Sequence, residues 1–294
     1  MCVRVTSGGR LFLLFSFIVY GSYPASGADL VSSDVPVPPN VEKAPLLLEF
    51  SPHFSGFVEV NSALGKAHFD DDPAKTSGWG LRGVANLPIG ERFNVQLDGR
   101  FENLKFEDLA DQTIAFGAHT YYRKPDRFAL GLYGQYERIS SETLALGPKE
   151  IAVGLEGAVF LSQSTVLGQI GVEAAQLEGE DASKLNGLIG ARYYQTDNLR
   201  FDLDAGFERL MNEDTVRKTY SVSMAANYRL SSQPITAFGG YRFRSSSSAT
   251  DDLPAGDTTS HGIVAGFRYH FGSTSLKDEE RNGPLWTAAP YLNY

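Results

Sequence analysis

Hydrophobic and polar residues alternate one by one along most of the chain between residues 53 and 271. In 93–102, Phe93, Val95, Leu97, Gly99 and Phe101 oppose Asn94, Gln96, Asp98, Arg100 and Glu102. In 199–208, Leu199, Phe201, Leu203, Ala205 and Phe207 oppose Arg200, Asp202, Asp204, Gly206 and Glu208. Successive side chains of a strand point to opposite faces, so each stretch has one apolar and one charged face. Twelve such stretches are predicted: 53–61, 77–87, 92–103, 112–123, 127–138, 149–161, 165–176, 184–195, 199–209, 218–230, 234–244 and 261–271. No window of comparable length sustains a helical period. Strands of a soluble sandwich run to about 5–6 residues, whereas a tilted membrane strand needs about 9–11. Length therefore turns the apolar face toward lipid and the charged face toward a lumen.

The connections and the aromatic residues support that choice. The tight turns "PIGE", "KPD", "SQS", "TDN" and "SSQ" alternate with longer polar segments such as 62–76 and 245–259. Short turns at one end and long loops at the other, around an even number of strands, are the signature of an outer-membrane barrel. That arrangement puts the short turns and both barrel ends of the chain in the periplasm. On the apolar face, Phe93, Tyr122, Phe128, Tyr193, Phe201, Tyr228, Tyr269 and Phe271 lie near the short turns. Trp79, Phe101, Tyr136, Phe207, Tyr220 and Phe243 lie near the long loops. Two bands of rings separated by smaller apolar residues read as girdles at the two membrane interfaces. Mid-strand glycines on the same face (Gly83, Gly99, Gly134, Gly157, Gly168, Gly187 and Gly239) read as easing curvature or letting neighbouring rings pack across them.

The whole of 53–271 resembles a Gram-negative outer-membrane β-barrel of the porin-like superfamily. In that family the last strand ends in an aromatic and is read by the barrel-assembly machinery. "IVAGFRYHF" (263–271) matches that pattern, so the resemblance implies an assembly signal at Phe267, Tyr269 and Phe271. Family members usually stop there, whereas this chain continues for a further segment that itself ends in an aromatic, Tyr294. Pro284 and Pro290 argue against a thirteenth strand in it.

The remainder sorts into segments. Residues 1–28 combine Arg4 and Arg10, the apolar run 11–20 and small residues at 26 and 28, which reads as a secretory signal peptide. Its removal takes away two arginines, no acid and the only cysteine, moving the net charge from −9 to −11. Disulfides and thiolate chemistry are then excluded, and the acidic balance argues against nucleic acid. Residues 29–45 read as a Pro-rich periplasmic linker, 46–272 as the barrel and 273–294 as a periplasmic tail. The tail reads as a disordered extension, with a lumen plug as the alternative in which Lys277, Glu279 and Arg281 engage the lumen's charges.

Inward-facing acids are Glu59, Asp98, Glu102, Glu137, Glu156, Glu173, Asp202, Asp204 and Glu208. The inward arginines are Arg82, Arg100, Arg123, Arg192, Arg200, Arg229, Arg242, Arg244 and Arg268. They read either as interstrand ion pairs stiffening a narrow lumen or as a pore lining that selects solutes by sign. A hairpin centred on Asp197 puts Arg192 across from Asp202. Arg229, Arg242, Arg244 and Arg268 face Glu137, Glu156 and Glu173 across the barrel, an asymmetry that would set up a transverse field.

Catalytic signatures fail. "SHG" at 260–262 lacks the order of the phospholipase barrels, and no G-x-S-x-G occurs. "GWGLRG" at 78–83 lies within a strand pattern and leads into no helix, so it is no dinucleotide site. The five histidines lack metal-ligand spacing, and "HFDDDP" at 68–73 is at most a weak cation site. No cofactor, metal site or enzyme activity is expected. The expected function is an outer-membrane channel for passive or weakly selective diffusion of small hydrophilic solutes. The rivals are a structural or adhesive barrel with a plugged lumen and, behind it, a lipid-modifying enzyme. Expected partners are outer-membrane lipid and lipopolysaccharide, the barrel-assembly machinery and the solutes.

Overall fold

The computed structural model describes residues 53–69, 72–107, 109–141, 148–177, 180–212, 215–250 and 253–286. The proposed signal peptide, the linker and Tyr294 lie outside them. Twelve strands run in chain order: β1 (Ser55–Phe69), β2 (Asp72–Ile89), β3 (Phe93–Phe106), β4 (Leu109–Lys124), β5 (Phe128–Ser141) and β6 (Lys149–Phe160). They continue with β7 (Ser164–Leu177), β8 (Glu180–Thr196), β9 (Leu199–Met211), β10 (Thr215–Arg229), β11 (Ile235–Thr250) and β12 (Leu253–Phe271), followed by helix α1 (Leu276–Asn282). Every strand pairs antiparallel with its sequence neighbour, and β1 pairs with β12 to close the barrel. The ladder thus runs all the way round the described strands and no strand edge is left in lipid, as a membrane requires.

Parity along the strands is that of the sequence. Val58, Val60, Leu97, Leu130, Ile170, Ile189, Ile263 and Phe267 are exposed on the outer wall, while their alternating polar neighbours point inward. The girdles are built from rings on adjacent strands. Phe93 lies 5.4 Å from Tyr122, which lies 6.1 Å from Phe128, at the short-turn end. Trp79 lies 5.2 Å from Phe101, and Phe207 5.5 Å from Tyr220, at the other.

Two expectations need correction. Most of 62–76 and 245–259, expected as outer loops, is strand: the β1–β2 ladder runs on to Phe69↔Asp72 and the β11–β12 ladder to Thr250↔Leu253. Strands reach 12 residues in β6 and 19 in β12, so the wall continues beyond the depth of the membrane. Above the bilayer both faces are wet, so the polar alternation disappears while the backbone pairing persists. The second concerns only where the lack of a side chain is required for space. A Cβ at the outward Gly83 would meet nothing within 4 Å, and those at Gly134 and Gly187 would make only ordinary contacts. The crowded glycines face inward: a side chain at Gly154 or Gly171 would collide with the ring of Tyr133, which lies across both strands and donates to Asn186 Oδ1 at 3.1 Å. Among the outward glycines, Gly99 does have a ring, that of Phe116, packed against it.

Candidate functional site: the lumen and its C-terminal plug

All eighteen inward acids and arginines of the sequence pattern face the lumen, most of them buried and engaged with one another. Beside the seam, Glu59 on β1 accepts from Arg82 on β2 at 3.1 Å and from Arg268 on β12 at 2.7 and 2.9 Å. The Arg268 guanidinium also lies over the rings of Phe57 (4.7 Å) and Phe238 (5.3 Å), so the seam closes on a desolvated charge cluster. His119 on β4 bridges Asp98 (2.9 Å) and Glu156 (2.8 Å). Arg100 reaches past Ala115, the small residue between them in register, to Glu137 at 2.6 Å, with Glu102 at 3.9 Å. Lys184 joins Glu150 (2.9 Å) and Glu173 (2.7 Å), and Arg244 joins Glu208 (3.0 Å). Asp202 accepts from Arg200 (2.9 Å) and Asn227 (3.0 Å), and Asp204 from Ser223 at 3.5 Å. Arg242 is buried on the same face.

This pairing corrects the transverse field: the arginines of β10–β12 and the acids of β5–β7 are mostly compensated by nearby partners rather than facing each other unpaired. The register of Arg192 opposite Asp202 is as expected, but the Arg192 side chain turns to Glu280 of the tail instead. His119, Glu150 and Lys184 were missed as network members although their parity places them inward.

Over its described residues the tail does not extend away from the barrel. Residues 273–286 fold back into the short-turn end of the lumen. Ser275 caps α1 by accepting from Asp278 N (3.0 Å), while Thr274 N and Oγ1 donate to Asp278 Oδ2 (2.7 and 2.9 Å). This is a variant of the capping box in which Asp278 accepts from the residue before the cap rather than from the cap itself, and S-x-x-D at 275–278 was its overlooked signal. The helix ends at Gly283, whose N–H donates to Glu279 O. The lumen supplies donors for the chain that follows. Arg123 donates to Gly283 O at 2.7 Å and Glu280 O at 3.3 Å. Gln96 donates to Trp286 O at 2.7 Å and accepts from Leu285 N and Trp286 N. Leu276, Leu285 and Trp286 are buried, the last two in a cluster with Tyr121, Phe160 and Leu167.

Glu280, absent from the expected set, is the buried charge of the plug. It takes hydrogen bonds from Arg192 Nη1 (2.9 Å) and Thr165 Oγ1. Burial alone would raise its carboxyl pKa, but the Arg192 and Arg200 guanidiniums and those hydrogen bonds outweigh it and hold the group below its ordinary value. Of the three tail residues expected to engage the lumen's charges, only Glu279 meets an inward ionisable group, His270. Lys277 meets Asp197 in a turn (3.5 Å), and Arg281 lies over the Phe160 ring (4.4 Å) and donates to Leu161 O (2.6 Å). Arg229 holds Ser273 O at 2.6 Å.

Thr236, His270 and Glu279 stand in the order nucleophile, base, acid, with Thr236 Oγ1 2.8 Å from His270 Nε2 and Glu279 on Nδ1. Their exposures are 0, 1 and 3 %. Glu279 lies on the tail while Thr236 and His270 lie on β11 and β12, so the trio ties the tail to the wall.

Beyond the plug the lumen opens. A cavity of about 100 Å³ is lined by His119, Tyr133, Glu150, Glu173, Lys184 and Glu208, among others, and its wall from β7 to β10 is only partly buried.

No protein-family model matches the sequence, and no curated protein matches it. Solved structures do resemble the fold. An outer-membrane channel from Pseudomonas putida F1 is 11% identical, with 74% of this chain and 95% of that one covered at a TM-score of 0.52. The translocator domain of the autotransporter NalP from Neisseria meningitidis is 15% identical, with 74% and 88% covered at 0.48. An anion-selective porin from Comamonas acidovorans is 11% identical, with 74% and 99% covered at 0.42. The likeness is one of fold. Joined to the apolar outer wall and its two girdles, the likeness to the Pseudomonas putida channel makes this chain a membrane-spanning β-barrel of the outer-membrane type.

Proposed function

We propose that the chain is an outer-membrane channel for small hydrophilic solutes, held closed by its own C-terminal segment. The short turns face the periplasm, and the plug seals that end. The observation that supports this reading most is how the segment is held. Residues 273–286 add no strand and are held by side-chain hydrogen bonds and a few buried apolar groups, so they can leave without opening the wall. The mouth at the other end carries both signs, Glu150, Glu173 and Glu208 beside Lys184 and Arg244, which suits weak selectivity. The reading is non-catalytic, with the buried trio as a tie for the tail.

Planar-bilayer conductance tests it. The full chain should be mostly closed, and a chain ending at Gly272 should insert as a heat-modifiable barrel with sustained conductance. A folded, truncated barrel that does not conduct would favour the structural or adhesive reading. The buried ion network across the middle of the lumen is the feature that supports that alternative.

A further inference from the structure

Charges inside this barrel are mostly matched, whereas among the described residues of the outer wall at the long-loop end three pairs are not. Three hairpins place two bases directly opposite each other on the exposed face: Lys66↔Lys75 on β1–β2, Arg138↔Lys149 on β5–β6 and Arg209↔Lys218 on β9–β10. Like charges directly opposite on one face of a sheet repel, so a sheet gains nothing from such pairs by itself. No ion pair joins any of the six to a described residue. At the short-turn rim, by contrast, Glu91, Asp126 and Asp197 stand among Arg92, Lys124 and Arg127. Glu107 sits beside Lys75, its N–H donating to Lys75 O at 3.0 Å. Among the described residues, the other outward acids of the long-loop rim, Asp181 and Asp257, are off the β5–β6 and β9–β10 ladders, so those two pairs carry the argument furthest.

Depth gives these bases a partner. Arg138 follows Tyr136 by two residues, Arg209 follows Phe207 by two and Lys218 precedes Tyr220 by two. At a rise of roughly 3.3 Å per residue and a strand tilt of about 40°, the charges sit about 5 Å in depth beyond the girdle rings. That is headgroup depth, since headgroups add about 5–8 Å on each side of the hydrocarbon. Donors flank both pairs: Gln176 lies opposite Lys149, and Ser247 opposite Lys218. Two cations, a neighbouring carboxamide or hydroxyl, and apolar wall beneath fit a phosphate on a lipid.

We propose that these pairs are phosphate sites for the phosphorylated glycolipid of the outer leaflet, tying the barrel to specific lipids around its circumference. The inference rests on the orientation given above and is independent of whether the lumen conducts.

The test uses the full chain in phosphatidylcholine nanodiscs doped with bisphosphorylated lipid A or with its dephosphorylated form, and measures lipid A retained per barrel against salt. The phosphorylated form should be retained and should elute with salt. Arg138→Gln with Lys149→Gln should weaken retention by about fivefold for each base removed. Lys124→Gln, at the other rim, should not. Heat-modifiability checks that each variant folds, and the comparison of the two lipids needs no variant. Equal retention of the dephosphorylated lipid would overturn the proposal in favour of the apolar wall alone. Undiminished retention by the double variant would also overturn it, as would displacement of the lipid by millimolar inorganic phosphate, which would indicate a free-anion site.

Discussion

Asp202 and Leu203 are neighbours in β9 that meet different solvents: Asp202 is hydrogen-bonded to Arg200 and Asn227 in the lumen, and Leu203 is 42% exposed on the outer wall. Arginine at 203 would face lipid near the midplane, at a cost of roughly 2–4 kcal/mol. Leu203→Arg should therefore fail to assemble, while Asp202→Asn should insert and at most alter conductance. Gel-shift assays on outer-membrane fractions read both. Which way a residue points was legible in the sequence, because lipid and water enforce a strict period of two. Which residue it would grip was not. Arg192 faces Asp202 across the hairpin, yet its partner Glu280 is 88 residues further along, and no local pattern encodes a contact across a lumen.

At the scale of elements, α1 is a seven-residue helix, too short to be stable alone, so its cap and its docking must hold it together. Ser275→Ala removes the cap acceptor and should cost about 1 kcal/mol, seen as a raised open probability in bilayers. Acid should act in the same direction. The Glu280 carboxyl is held below its ordinary 4.5, and Asp278, despite burial, is held below its ordinary 3.8 by hydrogen bonds from Thr274 and Asn282. Groups with lowered values stabilise the docked tail fully above their ordinary values and lose that contribution as the pH falls through their lowered ones. Opening should therefore rise as the pH drops below about 4.5, and Glu280→Gln should shift the balance toward opening already at neutral pH. The helix was missed because seven residues give too short a window for a 3.6-residue period to stand out from charge and proline. The strand extensions were missed for a related reason: the ladder from Lys66↔Lys75 onward has no dry face to impose alternation.

For the whole molecule, the extended wall predicts that protease added to intact cells leaves 62–68 and 73–76 largely uncut, because that backbone is hydrogen-bonded in a ladder rather than looped. Fragment mapping by mass spectrometry checks it. Closure should depend on the outward aromatic run of β12, so Phe271→Ala should impair insertion while deletion of 273–294 does not. Phe271 stacks 5.3 Å from Phe54, holding the ring at the seam. The plug's own seat has a further consequence. It is made of Gln96 from β3, Arg123 from β4, Thr165 from β7, Arg192 from β8, Arg229 from β10 and His270 from β12. That ring of groups exists only after the first and last strands have met, and the segment it receives follows the last strand in the chain. Chain order therefore works as a clock: every newly made copy passes through an interval in which the wall is complete and the stopper is still outside. Barrels followed from the moment of insertion should show a burst of current that decays as each one seals itself.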